Sequence, residues 1–270
     1  MAAFFTDSRN PNREKGSNLT RTAKLVLSIL IAGTITVAAQ TPDGASAPKS
    51  VDTKIKHSKG RSTPESPLAN PRLATGLEYG PFVNYGNGIG GDRSQYRFLS
   101  VGVQAGKTLF PPVHAGILSG QFELGANIMP FWQAYTPGPH VVDYVYHGVV
   151  YPELVGGGTF TGFSITPVIF RWNFLSHSPR VQPWFQGAGG LIYTTHKYPP
   201  DILVPHGFPG GTSVFNFSPQ GGIGIHYFIR ETRSIDLGVN AVHISSASLG
   251  DRNPGVNASI QLQVGYTYWK

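Results

Sequence analysis

A strict alternation of apolar and polar side chains near the end of the chain, in the segment SIQLQVGYTY, constrains the fold more than any other feature. Every second residue of this segment is apolar, and the residues between are polar or small; the apolar row is Ile260, Leu262, Val264, Tyr266 and Tyr268. A period of two is that of a β-strand, whose side chains point alternately to opposite faces. We therefore predict a final strand whose two faces meet different environments.

The same period of two recurs upstream, whereas no window after Ala74 has the spacing of an amphipathic helix. The upstream segments lie near 77–84, 95–106, 121–128, 161–174, 181–194, 215–226 and 233–246. The alternation is clearest in the first, third and sixth of these segments. With the final segment they make eight predicted strands.

The connections between these strands alternate in length. If the first strand starts in the periplasm, the outer loops fall near 87–94, 132–160, 195–213 and 247–256. The inner connections are mostly shorter, such as SHSP at 176–179 and RET at 230–232. Short inner turns, long outer loops and an even strand number are typical of outer-membrane barrels. The predicted fold class is all-β, an eight-stranded antiparallel outer-membrane β-barrel over residues 75–270.

Charge is scarce in the predicted barrel, which holds 10 Lys/Arg and 9 Asp/Glu over residues 75–270. A soluble barrel would carry more charge on its outside, so this scarcity favours lipid there. The interior of an eight-stranded barrel is just filled by side chains. We therefore predict that the polar residues of the inward rows pack in the lumen and do not catalyse; these are Glu78, Glu123, His226, Asp236, Asn240 and Gln261.

The first 74 residues have a different character. Residues 1–39 are predicted to be a signal peptide, because basic residues precede the apolar run LVLSILIAGTITVAA, which ends in small residues before Gln40. An uncleaved membrane anchor is the alternative. Residues 40–74 are rich in Pro, Ser, Lys and Thr, which predicts a disordered periplasmic linker. Export by this leader predicts that the protein is localised in the outer membrane.

The net charge of +7 is unevenly distributed. Residues 1–74 hold 11 Lys/Arg against 5 Asp/Glu, whereas residues 75–270 are close to neutral with 10 against 9. Because the basic residues are concentrated outside the folded part, we predict no nucleic-acid partner. Cysteine is absent and the nine histidines lack metal-ligand spacing. The sequence therefore implies no metal and no cofactor.

The seventh segment, SIDLGVNAVHISS, carries a histidine and a serine on its outer row. His243 and Ser245 continue the odd positions of Ile235, Leu237 and Val239, so both are predicted to face lipid near the external rim. Polar residues on a lipid face are costly unless they lie at the interface or have a function. Residues two apart on one strand face stand side by side. An imidazole in that position can take a proton from a serine hydroxyl, as in an activated nucleophile.

The segment HISSASLGDRNPGVN resembles the signature of the lipid A 3-O-deacylase (PagL-like, acyloxyacyl hydrolase) family. The matching residues are His243, Ser245, Ala247, Asn253 and Gly255. The resemblance implies an outer-membrane serine esterase that removes an ester-linked acyl chain from lipid A, with lipopolysaccharide as its substrate and outer-membrane lipid around it. It also implies Ser245 as the nucleophile and His243 as the general base, with no metal.

Two positions depart from the family pattern. Ser246 stands where the family usually has Asn, and Asn257 stands at the position of the family's catalytic Glu. We expect Asn257 to be the third catalytic residue, and Ser246, Asn253 and Gly255 to support the oxyanion or the turn. By strict alternation, however, Asn257 falls on the lumen row unless a bulge turns it outward.

Asp251, in the same outer loop, is the alternative acid. An asparagine in place of the carboxylate also leaves open a second function. The chain would then be a catalytically impaired barrel of the same family, with a structural or adhesion role through its outer loops. The sequence leaves open whether the barrel forms a homodimer.

Overall fold

The structure is a computed structural model of the 270-residue chain, and it describes residues 76–200, 212–247 and 257–270. The predicted signal peptide (1–39) and the predicted linker (40–74) lie outside the described residues and stay predictions. No helix among the described residues is long and apolar enough to cross a membrane.

Eleven antiparallel strands make up the described chain. They are β1 (Leu77–Ile89), β2 (Arg97–Thr108), β3 (Gly120–Tyr135), β4 (His140–Tyr146), β5 (Val149–Val155), β6 (Thr159–Phe174), β7 (Val181–Tyr198), β8 (Ser213–Phe217), β9 (Gln220–Arg230), β10 (Arg233–Ile244) and β11 (Asn257–Trp269). Short 3-10 turns lie at Gly91–Gln95 and Gly116–Leu118.

Eight positions around a closed ring account for nine of these strands. The hydrogen-bonded order is β6, β3, β2, β1, β11, β10, β9, β7, and pairing between β6 and β7 closes it. β8 pairs with the outer part of β7, and β9, which follows β8 after a break of two residues, pairs with the rest of β7. β8 and β9 therefore share one position in the ring. The predicted eight-stranded antiparallel barrel is confirmed, and its ring has no free edge that could pair with another chain.

The burial pattern alternates along the strands with polar residues inside and apolar residues outside. On β11, the Leu262 side chain is 57% exposed whereas its neighbour Gln263 is 6% exposed. The predicted outer row Ile260, Leu262, Val264 and Tyr266 does face outward. Since a soluble protein buries its apolar residues, this inverted arrangement is that of a barrel surrounded by lipid. The chain is an outer-membrane β-barrel in fold.

The ends of the barrel differ, and we name them by their connections. The inner rim carries the connections 109–119, 175–180 and 231–232, together with Leu77 and Lys270 at the two ends of the barrel sequence. The outer rim carries the 3-10 turn after β1 and the connections that leave β3, β7 and β10.

One outer connection is more ordered than the sequence predicted. The predicted loop near 132–160 instead contains the last residues of β3, the hairpin of β4 and β5, and the start of β6. Thr136 and Gly158 join the base of this hairpin, where the Thr136 N–H donates to the Gly158 carbonyl at 2.9 Å. The run of valines and tyrosines in this segment favours strand, which outweighs its position outside the ring.

A buried polar network fills the inner half of the lumen. The Arg171 guanidinium donates to the carboxylates of Glu78 at 2.7 Å and Glu123 at 3.1 Å. Asp236 contacts the Nδ1 of His226 at 2.7 Å and accepts hydrogen bonds from Ser234 and Thr267. Asn240 and Gln261 are also buried, so the predicted lumen residues do pack inside. The sequence analysis missed Arg171, the cation that two of these carboxylates share.

Aromatic side chains fill the lumen near the outer rim. This outer cluster consists of Tyr96, Phe98, Trp132, Ala134, Phe160, Ile192, Tyr198, Val242 and Ile244. The ring of Tyr198 packs edge-on against Trp132, with 5.5 Å between the ring centroids. Two members, Val242 and Ile244, flank His243 on β10, so packing of the outer cluster holds the outer end of that strand in place.

Candidate functional site

His243 and Ser245 lie on the outer face of β10 at its outer end. Both side chains are half-buried, while Val242 is 7% exposed and Ile244 1% exposed because they point into the lumen. The alternation along β10 therefore continues through the pair without interruption. This placement agrees with the position that the sequence predicted.

The main chain of the pair is held by strand pairing and not by a loop. The His243 N–H donates to the carbonyl of Pro219 at 3.0 Å. Ser245 and Phe217 exchange two hydrogen bonds, of 2.7 Å and 3.0 Å, which bring β8 alongside the end of β10. On the other side, His243 is paired with Ala258 of β11. A site on paired strands positions its side chains more accurately than one on a loop.

The chain makes a tight turn at Ala247, two residues after Ser245. The Ser245 hydroxyl oxygen accepts a hydrogen bond from the N–H of Ala247 at 3.2 Å. Ala247 has a φ of +46°, a left-handed conformation that is uncommon for residues other than glycine. That backbone strain costs on the order of 1 kcal/mol or more and persists only where surrounding contacts impose it. The strained turn therefore lies two residues from the serine hydroxyl.

Asn257 does not bring its side chain to His243. The Asn257 side chain is 5% exposed and lies on the lumen row, paired with Ile244 across the strands. β10 and β11 pair without a register shift, so no bulge turns Asn257 outward. Its two amide atoms have no partner among the described residues. The His243 ring instead lies near the main chain of Asn257.

Ser246 also lies on the lumen side. Its side chain is 2% exposed, and its hydroxyl oxygen has no hydrogen-bond partner within the described part of the chain. The structure thus places His243 and Ser245 on the outer face, whereas the side chains of Ser246 and Asn257 lie on the lumen side. The other residues that the sequence singled out, Asp251, Asn253 and Gly255, lie outside the described residues and stay predictions.

A patch of small residues borders the pair on its membrane side, and the sequence analysis missed it. Gly187, Gly221 and Ala241 are paired in one row across β7, β9 and β10. A Cβ added at Gly187 would meet no atom within 4 Å. We call this row the small-residue recess. The next row toward the inner rim, on the same outer face, consists of the larger residues Phe185, Ile223 and Val239. Only the register between strands assembles the recess, so the linear sequence carries no signal for it.

No metal centre lies in the part of the chain that the structure describes. There, no three or more His, Cys, Asp or Glu side chains are grouped so that they could hold a metal ion.

The chain matches one protein family and several solved barrels. The family model described as Lipid A 3-O-deacylase (PagL) matches residues 120–267, more than half of the chain. Neisserial surface protein A is 13% identical, with 71% of this chain and 96% of that chain covered and a TM-score of 0.41. The outer membrane enzyme PagL is 14% identical, covering 69% and 98%, with a TM-score of 0.39. The outer membrane protein OprG from Pseudomonas aeruginosa is 10% identical, covering 74% and 97%, with a TM-score of 0.36. No curated protein sequence matches the chain.

Proposed function

The chain belongs to the lipid A 3-O-deacylase (PagL) family, and on that premise we propose that it is an outer-membrane esterase that removes an ester-linked acyl chain from lipid A. The observation that carries the proposal is the pair His243 and Ser245, side by side on the lipid-facing surface at the outer rim. Both residues lie within the region that the family model matches.

The proposed reaction is acyl transfer to Ser245 followed by hydrolysis. The Ser245 hydroxyl oxygen attacks the ester carbonyl while the His243 imidazole takes its proton. The ester bond to the sugar oxygen then breaks, and the imidazolium returns the proton to that oxygen as the alcohol leaves. In the second half, His243 takes a proton from water, the hydroxide attacks the acyl-serine, and the fatty acid is released as Ser245 regains its proton.

The position of the pair suits a lipid whose esters lie just below its headgroup. Apolar side chains cover the barrel on the membrane side of His243, and the small-residue recess leaves room against Gly187, Gly221 and Ala241. An acyl chain lying in the recess would bring its ester carbonyl toward Ser245. Holding the reacting atoms in this geometry is worth several kcal/mol of the barrier in comparable reactions.

The third member of the proposed site departs from the family pattern at Asn257. The Asn257 side chain faces the lumen, so we propose that its main chain, which lies near His243, orients the ring. A neutral peptide group stabilises an imidazolium less than a carboxylate does, which predicts slow turnover. The Asp251→Asn variant tests the alternative. A loss of about 10³-fold or more would identify Asp251 as the acid, and unchanged turnover would leave a Ser–His pair.

Mass spectrometry of lipid A from cells that express the chain tests the proposed activity. We expect the parent to release one acyl chain and Ser245→Ala to release none. Ser246→Ala is the matched control, because the neighbouring serine points into the lumen and its loss should leave deacylation intact. Equal deacylation by the parent and Ser245→Ala would overturn the proposed nucleophile.

A second function is favoured by one observation, the absence of a carboxylate at Asn257. The chain would then be a catalytically impaired barrel with a structural or adhesion role through its outer loops. Unchanged lipid A in cells that contain the folded parent would support this second function over the first.

A further inference from the structure

The barrel is nearly neutral in total, but the structure separates its charges by location. Buried in the lumen are Glu78, Glu123 and Asp236 together with Arg171. The described charges at the outer rim nearly balance, with Arg93, Arg97 and Lys197 against Asp143 and Glu153. The inner rim does not balance, because it carries one described acidic side chain, that of Glu231, against five basic ones, those of Lys107, Arg180, Arg230, Arg233 and Lys270. A strongly basic surface therefore lies at one end of a neutral barrel.

Four of these cations lie on the outer face at the inner ends of neighbouring strands. Lys107 of β2 and Lys270 flank Leu77 of β1, since Leu77 is paired with Lys107 and exchanges two 2.9 Å backbone hydrogen bonds with Lys270. On the next strands, Arg233 of β10 is paired with Arg230 of β9. We call Lys107, Lys270, Arg233 and Arg230 the cation row.

A β-bulge brings Arg230 into this row. Along β9, Phe228 points into the lumen, and strict alternation would send Arg230 there as well. The register shifts between Arg233 and Ser234, so that Arg230 and Arg233 oppose each other on the outer face. Among the described residues, no carboxylate forms an ion pair with any member of the cation row. Adjacent like charges repel, so an external anion bound between them would stabilise this arrangement.

Tyrosine rings lie beside the cations, since Tyr79 is paired with Tyr268 and Tyr268 is paired with Arg233. Tyr79 and Tyr268 stack with 5.6 Å between their ring centroids. The Arg233 guanidinium carbon lies 4.8 Å from the ring centre of Tyr268, and the Lys270 Nζ lies 5.4 Å from that of Tyr79. Tyrosine occupies the level of lipid headgroups in membrane proteins. The cations therefore lie at the level of the headgroup phosphates.

The surface continues from charge through tyrosine to aliphatic side chains. Two outward-facing rows further from the rim than Tyr79 and Tyr268 lie Val83, Val264 and Leu237, paired with one another across β1, β11 and β10 and each more than 40% exposed. A free phosphate would contact the cations alone, whereas a phospholipid also places its acyl chains along these aliphatic residues. We propose that the cation row binds the phosphate groups of anionic glycerophospholipids in the leaflet at the inner rim.

Lipid retention by the purified full-length chain tests the proposal without reference to its enzymatic activity. The protein is placed in nanodiscs of phosphatidylcholine containing a minority of phosphatidylglycerol, and the lipids that it retains are counted by native mass spectrometry. We expect phosphatidylglycerol to be enriched among the retained lipids. The enrichment should disappear as salt rises to about 1 M, because salt screens exposed charges. An enrichment that persists at that salt concentration, or none at all, would overturn the proposal.

Matched double variants locate the effect on the barrel. Lys107→Gln/Arg230→Gln removes two cations of the row that have no recorded ring contact within the described structure. The variant should lower the enrichment roughly 30-fold, since it removes two interfacial cations that each contribute about 1 kcal/mol. The control is Arg97→Gln/Lys197→Gln, which removes two cations at the outer rim and should leave most of the enrichment. Equal losses in the two variants would contradict a site at the inner rim. Heat-modifiable gel mobility checks folding, and the salt titration of the parent decides if either variant fails to fold.

Discussion

At the scale of single residues, one peptide step separates the outer surface of the barrel from its lumen. Ser245 is half-buried on the outer face, and Ser246 beside it is 2% exposed within the lumen. His243 and Asn257 are separated in the same way, although the His243 ring reaches the Asn257 main chain. A substitution at Asn257 therefore changes the packing of the lumen directly and affects the candidate site only indirectly.

Replacing Asn257 by the family's glutamate should impair folding and give no gain in turnover. Asn257→Glu would place a carboxylate in the lumen beside Ile244, a member of the apolar outer cluster, at a cost of several kcal/mol. Heat-modifiable mobility and lipid deacylation measure the two outcomes on one sample. A folded Asn257→Glu variant with ten-fold faster deacylation would contradict the lumen placement.

Asn257→Leu is the matched control. It replaces an amide whose two polar atoms have no partner in the described structure with an apolar group of similar size. Because an unpaired buried amide costs about 1 to 3 kcal/mol, this variant should be at least as stable as the parent.

At the scale of elements, the candidate site depends on how β7, β8, β9 and β10 lie next to one another. β8 pairs with the end of β10 at Ser245, and the rows of β7, β9 and β10 place Gly187, Gly221 and Ala241 on the membrane side of His243. No single strand contains the site. Its accuracy follows from strand pairing, together with the outer cluster behind Val242 and Ile244.

Filling the small-residue recess should slow deacylation of long-chain substrates. Ala241→Leu adds bulk two residues from His243 on the same face, and we expect about a ten-fold loss with lipid A as substrate. A short-chain soluble ester, which does not need the recess, should be hydrolysed at the parent rate. Val239→Leu, one row closer to the inner rim on the same face, is the control and should leave both rates unchanged. If Ala241→Leu lowers both rates equally, the recess does not hold the acyl chain.

At the scale of the whole molecule, the barrel is held by its ring of backbone hydrogen bonds and by one charged network in its lumen. Arg171 of β6 contacts Glu78 of β1 and Glu123 of β3, and its guanidinium lies 5.0 Å from the ring centre of Trp184 on β7. Asn173 extends the network, since it donates to Glu123 at 2.8 Å and contacts His226 at 3.3 Å. The network therefore links strands on opposite sides of the ring.

Removing the shared cation should destabilise the barrel more than removing a surface cation. Arg171→Met leaves Glu78 and Glu123 buried without their partner, which costs about 3 to 5 kcal/mol. Urea unfolding in lipid vesicles measures the change in free energy. Arg180→Gln, an exposed change at the inner rim, should stay within about 0.5 kcal/mol of the parent. Adding Glu78→Gln and Glu123→Gln to Arg171→Met should restore part of the loss. Equal stabilities for Arg171→Met and Arg180→Gln would show that the network contributes little.

The sequence by itself determined the properties that depend on local alternation. The class of fold, the number of strands and the outward direction of His243 and Ser245 follow from a period of two along each segment. The lumen positions of Glu78, Glu123 and Asp236 follow from the same parity.

Only the tertiary structure decided which residues meet across strands. The side chain of Asn257 lies apart from His243, Arg171 lies between two carboxylates, and the β4–β5 hairpin forms within a predicted loop. The small-residue recess and the cation row also depend on register, including the bulge that turns Arg230 outward. The physical reason is that register is set by hydrogen bonds and packing between segments far apart in the chain. The alternation within one strand carries no information about its partner's register.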